Sequence, residues 1–204
     1  MNGAWFLGFR YLGCHKLKTK ILVAAVTLMM ILPAATRLLV EESAEALTAR
    51  EESTTLVAGA AGSPLELVLK SLYFHADKPP ELAFNIYQEM AESGLAPAIP
   101  LNTRFNARGA PIVGTTLDYF TARELQLASG RMMGMLGECV IGADIAQKFG
   151  VGVGDSLVSS PETVFDIAGV YPLKMNITGV LQPAGNADDG AVFVDYRTSW
   201  VIEG

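Results

Sequence analysis

The chain opens its pattern with an apolar run: Ile21 to Val40 reads ILVAAVTLMMILPAATRLLV, and its one charge, Arg37, sits near the far end. At about 1.5 Å per residue, twenty helical residues span roughly 30 Å, the thickness of a bilayer's hydrocarbon core. A soluble core helix of that length would carry a polar face, and this run has none. The pattern predicts a membrane helix over 21–40. Arg37 lies within a turn of the outer end, where its long stem lets the guanidinium reach the headgroups. Pro33 is better tolerated in a membrane helix than in a soluble one. A cleavable signal peptide is the rival reading, because Ala34 and Ala35 offer small residues near a cleavage point. Leu32 and Pro33 fit that pattern poorly, and the leader before the run is long.

Beyond the run the periods shorten. Glu41 to Glu52 is rich in Glu, Ala, Leu and Arg and predicts a helical stalk continuing the membrane helix outward. Thr54 to Ala58 reads as a strand ending at the small-residue turn Gly59 to Gly62. Ser63-Pro64-Leu65-Glu66 announces a helix: Ser63 caps, Pro64 suits the first helical position and Glu66 completes a capping box. Leu65, Val68, Leu69 and Leu72 share one face of it. A second helix is expected from Glu81 to Ser93, closed by Gly94. Ile99 to Phe105 and Ala110 to Leu117 read as strands around the Arg108-Gly109 turn, and Asp118 to Leu127 is ambiguous, a helical turn being one reading. Further on, Glu138 to Gly142 is a strand, Ala143 to Phe149 a short helix stopped by Gly150, and Asp155 to Ser160, Lys174 to Leu181 and Ala191 to Tyr196 are β-rich. Helices interleaved with short strands predict an α+β domain over 54–204. No internal repeat or low-complexity tract appears.

Charge fixes the expected orientation. Residues 1–20 carry Arg10, Lys16, Lys18 and Lys20 and no acid, whereas 41–204 hold ten Lys/Arg against all twenty-one Asp/Glu. By the positive-inside rule the leader 1–20 stays cytoplasmic, so the stalk (41–53) and the domain emerge outside. The leader mixes Trp5, Phe6, Phe9 and Tyr11 with its cations, which suits a short helix at the headgroup level, in contact with membrane lipid. An acidic main domain has no electrostatic footprint for nucleic acid. With Cys14 in the leader and Cys139 in the domain, the two thiols would lie on opposite sides of the membrane and could not pair. Cys139 reads as a buried, inert thiol.

Candidate chemistry is sparse. Gly150 to Asp155 is glycine-rich, but a phosphate cradle needs a strand before it, a helix after it and a lysine, so a helix stop with a tight turn is the simpler reading. Met132, Met133 and Met135 could offer thioethers to copper(I), yet methionines more often fill apolar gaps. Asn186, Asp188 and Asp189 before Gly190 could sketch a calcium site, and an Asx-rich turn is the better account. The two histidines, His15 and His75, give no triad. No catalytic residue, cofactor or metal is expected.

In order along the chain stand Arg108-Gly109-Ala110-Pro111-Ile112-Val113-Gly114-Thr115-Thr116, then Leu127-Ala128-Ser129-Gly130-Arg131. Gly137-Glu138-Cys139-Val140-Ile141-Gly142 follows with Ala143 and Ala146, then Val153-Gly154-Asp155-Ser156-Leu157. Ile177-Thr178-Gly179-Val180-Leu181 and Asp189 before Ala191-Val192-Phe193-Val194-Asp195 close the series. With the basic leader and single membrane helix, this order resembles the periplasmic core domain of permeases in the MacB/FtsX superfamily of ABC transporters. The resemblance implies a permease of the inner membrane, N-terminus cytoplasmic and main domain periplasmic. It also implies a homo- or heterodimer driven by a separate cytoplasmic ABC ATPase. Such permeases transmit ATP-driven motion to the periplasmic domain, a process called mechanotransmission. They export or release lipophilic molecules, peptides or lipoproteins, often with a periplasmic adaptor. The family has three further membrane helices after this domain, so the chain is expected to be the N-terminal part of a permease. Two other readings stay open: an FtsX-like regulator of cell-wall hydrolases, and a membrane-anchored binding or sensor module. An anchored hydrolase ranks last, since no nucleophile–base pair is evident.

Overall fold

The computed structural model describes residues 15–52, 54, 56–74, 82–160 and 172–203, with the backbone alone for 42–52. His75, Cys14, Glu81 and the leader to residue 14 lie outside them. The chain forms two compact units, Met1–Ala49 and Arg50–Gly204.

Helix α1, Lys16–Glu52, is 37 residues long. The apolar run and the Glu-rich stretch after it are therefore helical without a break. Within it Lys16–Glu41 is long and apolar enough to cross a membrane, and 0% of its most apolar window is buried. Its hydroxyls are satisfied internally: Thr27 donates to the Val23 carbonyl at 2.8 Å and Thr36 to that of Leu32. That leaves no polar side chain seeking water in the middle of the span. Arg37 pairs with Glu41 one turn on, at 3.5 Å.

In the second unit, Thr54 and residues 56–59 form no strand, contrary to expectation. β-propensity expresses a fit to a half-buried pleated surface, and among the described residues no strand partners the segment; Leu56 is 84% exposed. Helix α2, Pro64–Tyr73, starts at the expected Ser63 cap, with the Glu66 amide donating to Ser63 Oγ at 3.4 Å. Only its far end docks: Leu72 and Phe74 are buried, whereas Leu65 and Val68 of the same stripe stay exposed. Helix α3, Phe84–Glu92, ends in Ser93, with Gly94 in the left-handed region, and buries no residue fully. Phe84 stacks on Tyr196 at 5.5 Å and meets Trp200 edge-on at 4.8 Å.

Seven strands follow: β1 (Asn102–Ala107), β2 (Ala110–Thr115), β3 (Leu127–Gly130), β4 (Glu138–Ile141), β5 (Ser156–Val158), β6 (Lys174–Leu181) and β7 (Val192–Asp195). Between them lie α4 (Leu117–Ala122), α5 (Ala143–Phe149), a 3-10 turn (Ala187–Gly190) and, last, α6 (Tyr196–Glu203). They make one sheet in the order β1-β2-β7-β4-β6-β3, with β5 also on β6; β2–β7 and β4–β6 are parallel and the other pairs antiparallel. This is the expected α+β class.

Both sheet faces are covered, which is why β4 and β7 read as continuous apolar runs. Cys139, Ile141, Val192 and Val194 point into one core with Ile145 of α5 and Ile202 of α6; Val140 and Phe193 point into the other with Tyr119, Phe120 and Phe74. β6 changes faces midway. Met175 and Ile177 belong to the first core, yet Leu181 belongs to the second. An irregularity opposite Cys139 and Val140, which face Ile177 and Gly179, inserts Thr178 as the extra residue and flips the alternation.

Two further differences from expectation have local causes. Asp118–Leu127 divides between α4, which takes it up to Ala122, and β3, which begins at Leu127; β2 stops at Thr115, short of the expected Leu117, because Leu117 opens α4. Tyr196 starts α6 rather than ending β7. Asp195 accepts from the Arg197 amide at 2.8 Å and opens the helix. The buried face of α6 includes Thr198 and Ser199 beside Ile202, so its period is hidden from a hydrophobicity reading.

Candidate functional site

Within the second unit, one organised surface feature is the connection between β3 and β4, residues 131–137. Glu138 at the start of β4 is 6% exposed and gathers it. The Arg131 guanidinium forms a two-armed ion pair with its carboxylate, and the amides of Gly134 and Met135 donate to Oε2 at 2.8 and 3.1 Å. Arg131 Nη1 also reaches the Met132 carbonyl at 3.0 Å, and the Arg131 amide bonds the Thr178 carbonyl at 2.8 Å. At the other end the Gly137 amide donates to Thr198 Oγ1 of α6 at 3.2 Å, and the Asn176 amide to the Gly137 carbonyl at 2.8 Å. Glycine is required where the loop leaves β3: Gly130 has φ +81, and a Cβ there would lie 2.2 Å from the Thr178 carbonyl. So held, the loop presents Met135 and Leu136, 67% and 60% exposed.

Arg131, then the Gly134 amide, hold the Glu138 carboxyl down at about 2, outweighing the burial that would raise it. A carboxylate lowered by folding stabilises the fold above its unfolded value, and that stabilisation drains as pH falls toward the folded one. Acid titration from pH 5 to 2 should therefore lower the melting temperature of the wild type progressively. In Glu138→Gln that component of the pH slope should vanish, and an unchanged slope would show the pair contributes nothing.

Beside the loop lies an open groove of about 470 Å³, lined by Leu117, Phe120, Thr121, Glu124, Leu125, Gln126 and Met132. Met132 belongs to both. Leu117 is 52% exposed and Leu125 is buried.

The residues singled out from sequence separate. Met133 is buried in the second core and Met135 points to solvent, so the three thioethers do not converge. In the glycine-rich loop Gly150 stops α5 in the left-handed region, at φ +63. The amides beyond it are committed: Gly152 to Asp155 Oδ2 at 2.9 Å, Gly154 to the Ile177 carbonyl at 2.9 Å, and Asp155 to the Gly152 carbonyl at 3.1 Å. A carboxylate occupies the place a phosphate would take, so the tight-turn reading holds. Asp189 accepts from the amides of Ala184 and Gly185 at 2.9 and 2.7 Å, while Asp188 takes the Tyr119 hydroxyl at 2.7 Å. The two carboxylates serve different neighbours within a turn. Among the described residues no group of three or more His, Cys, Asp or Glu could hold a metal ion. Cys139 is fully buried at the centre of the sheet, and burial pushes its thiol up to about 12, which leaves it protonated and unreactive.

Sequence reasoning missed the Arg131–Glu138 pair. Glu138 opens an apolar strand and Arg131 lies seven residues back, a spacing that signals nothing until the loop between them folds.

The description "MacB-like periplasmic core domain" fits residues 21–203, from the apolar helix to the last turn of α6. No curated protein matches the sequence. Among solved structures, the periplasmic region of MacB from Actinobacillus actinomycetemcomitans is similar over 64% of this chain and 69% of its own, at 10% identity and a TM-score of 0.46.

Proposed function

Because this chain belongs to the MacB-like periplasmic core domain family of ABC-transporter permeases, we propose that it is the N-terminal part of a permease subunit. In this reading it couples ATP hydrolysis on another chain to export or release of a lipophilic substrate or (lipo)peptide. It is a transport component, not an enzyme. The observation that carries the reading is the extent of the family match, which takes in the membrane-length helix as well as the folded domain. Residues 1–20 lie at the cytoplasmic face of the inner membrane, 21–40 span it, 41–53 form the stalk and 54–204 are periplasmic. The partners are a cytoplasmic ABC ATPase, a second permease protomer and a periplasmic adaptor.

The continuity of α1 supports a mechanical role: one helix from Lys16 to Glu52 can carry rigid-body motion through the span, where a flexible linker would absorb it. The test is Ala46→Pro, which removes a helical hydrogen bond and costs about 3 kcal/mol locally. In the assembled transporter, ATPase turnover should persist while export falls at least tenfold. Export at the wild-type rate would remove the coupling role from the stalk.

A further inference from the structure

The loop 131–137 and the groove beside it carry matching groups: apolar side chains on each, and opposite charges at Arg131 and Glu124. The loop is a knob whose backbone is fixed at both ends and through Glu138, yet whose tip is two adjacent apolar side chains in water. Ordering a loop costs conformational entropy, and a pre-ordered apolar tip is the arrangement that binding can use without incurring that cost again. The groove is open, and its lining sets Leu117, Phe120, Leu125 and Met132 beside Glu124 and Thr121. Arg131, at the base of the knob, keeps its side chain 58% exposed even while it holds Glu138. Knob and groove join at Met132, and Met135 is at most about 11 Å further along the chain.

We propose that these are the two halves of one self-complementary contact between copies of this chain. Met135 and Leu136 of one copy seat in the groove of the second, and the reverse contact forms across a two-fold axis. Such a contact is isologous: each side supplies what the other needs, and it closes at two copies. Arg131 of each copy then approaches Glu124 of the other, which fixes the register of the contact. A purely alkyl ligand would leave Glu124 and Thr121 without a role, whereas a knob with a cation at its base uses both. Two copies held in one bilayer also need less than the roughly 1,200–2,000 Å² buried by freely diffusing partners. The inference rests on the permease reading only in needing two copies side by side in a membrane.

The test uses the full chain in nanodiscs, in a Cys14→Ser background. One tagged copy carries Leu136→Cys and a differently tagged copy carries Thr121→Cys. Mild oxidation should link the mixed pair at least tenfold more than Leu136→Cys mixed with Gln147→Cys, which is exposed on α5 against the opposite face of the sheet. Leu136→Asp, with its melting temperature unchanged, should weaken pairing at least tenfold by energy transfer between N-terminal labels. If the copies still pair but the mixed cysteines link no better than the control, this surface is wrong and the permease reading stands. If they do not pair at all, the contact falls, and so does the homodimeric form of that reading.

Discussion

Phe193→Ala should lower the melting temperature of the folded domain by roughly 10 °C, from a loss of about 3–5 kcal/mol. Phe193 is fully buried in β7 at the centre of the second core. Its ring lies 5.2 Å from that of Phe120, 5.6 Å from Tyr119 and 6.3 Å from Phe74. Truncation removes the common partner of all three and leaves a void at a sheet centre, where neighbouring strands cannot collapse into it. Phe74 adds a local consequence. It ends α2 with a left-handed backbone, φ +55, and α2 has little else buried. Amide exchange across Pro64–Tyr73 should therefore quicken more than exchange across β4. Thermal melts and hydrogen exchange on Phe193→Ala and Phe193→Leu would check both effects. The leucine variant should recover most of the loss, and an alanine variant melting within 2–3 °C of wild type would refute the packing account.

Gly142→Ala should be nearly as damaging although it adds a single methyl group. Gly142 joins β4 to α5 at φ −68, a conformation open to any residue, so the constraint is space. A Cβ there would lie 2.3 Å from the carbonyl oxygens of both Asp188 and Asp189. Those are backbone atoms of the 3-10 turn, itself held by Asn186 and by the Asp189 carboxylate, so the neighbours cannot swing aside. The expected cost is about 3 kcal/mol, at the upper end for overpacking, with Gly142→Val worse. Gly190→Ala, on the same turn but with open space around its Cβ, is the matched control and should stay within about 0.5 kcal/mol. Equal urea midpoints for the two alanine variants would show that the turn yields.

How far the chain could be read from sequence depended on the range of the interaction that decides each element. The membrane-length helix, the Ser63 cap, the Gly150 stop, the span of β6 and the buried character of Cys139 were legible, because each is written within one or two turns of chain. The family resemblance was legible too, since it lies in the order of such local signals, and residues 21–203 carry it.

What only tertiary structure decided involves partners distant in sequence. Thr54 to Ala58 has strand composition, yet Thr54 and residues 56–58 form no strand, because pairing depends on an available edge that the segment itself cannot reveal. α6 was hidden because Thr198 and Ser199 face inward and mask the apolar period. The face change in β6 comes from a register irregularity against β4, and β6 alone reads as uninterrupted alternation. Arg131 and Glu138 become a pair, and Met135 and Leu136 a fixed tip, only when β3 and β4 dock on either side of β6. The sequence by itself determined the local elements and the class, through propensity, capping and hydrophobic period. The sheet order, the crowding at Gly142 and the loop beside the groove depended on long-range packing, where a residue's role is set by neighbours tens of positions away.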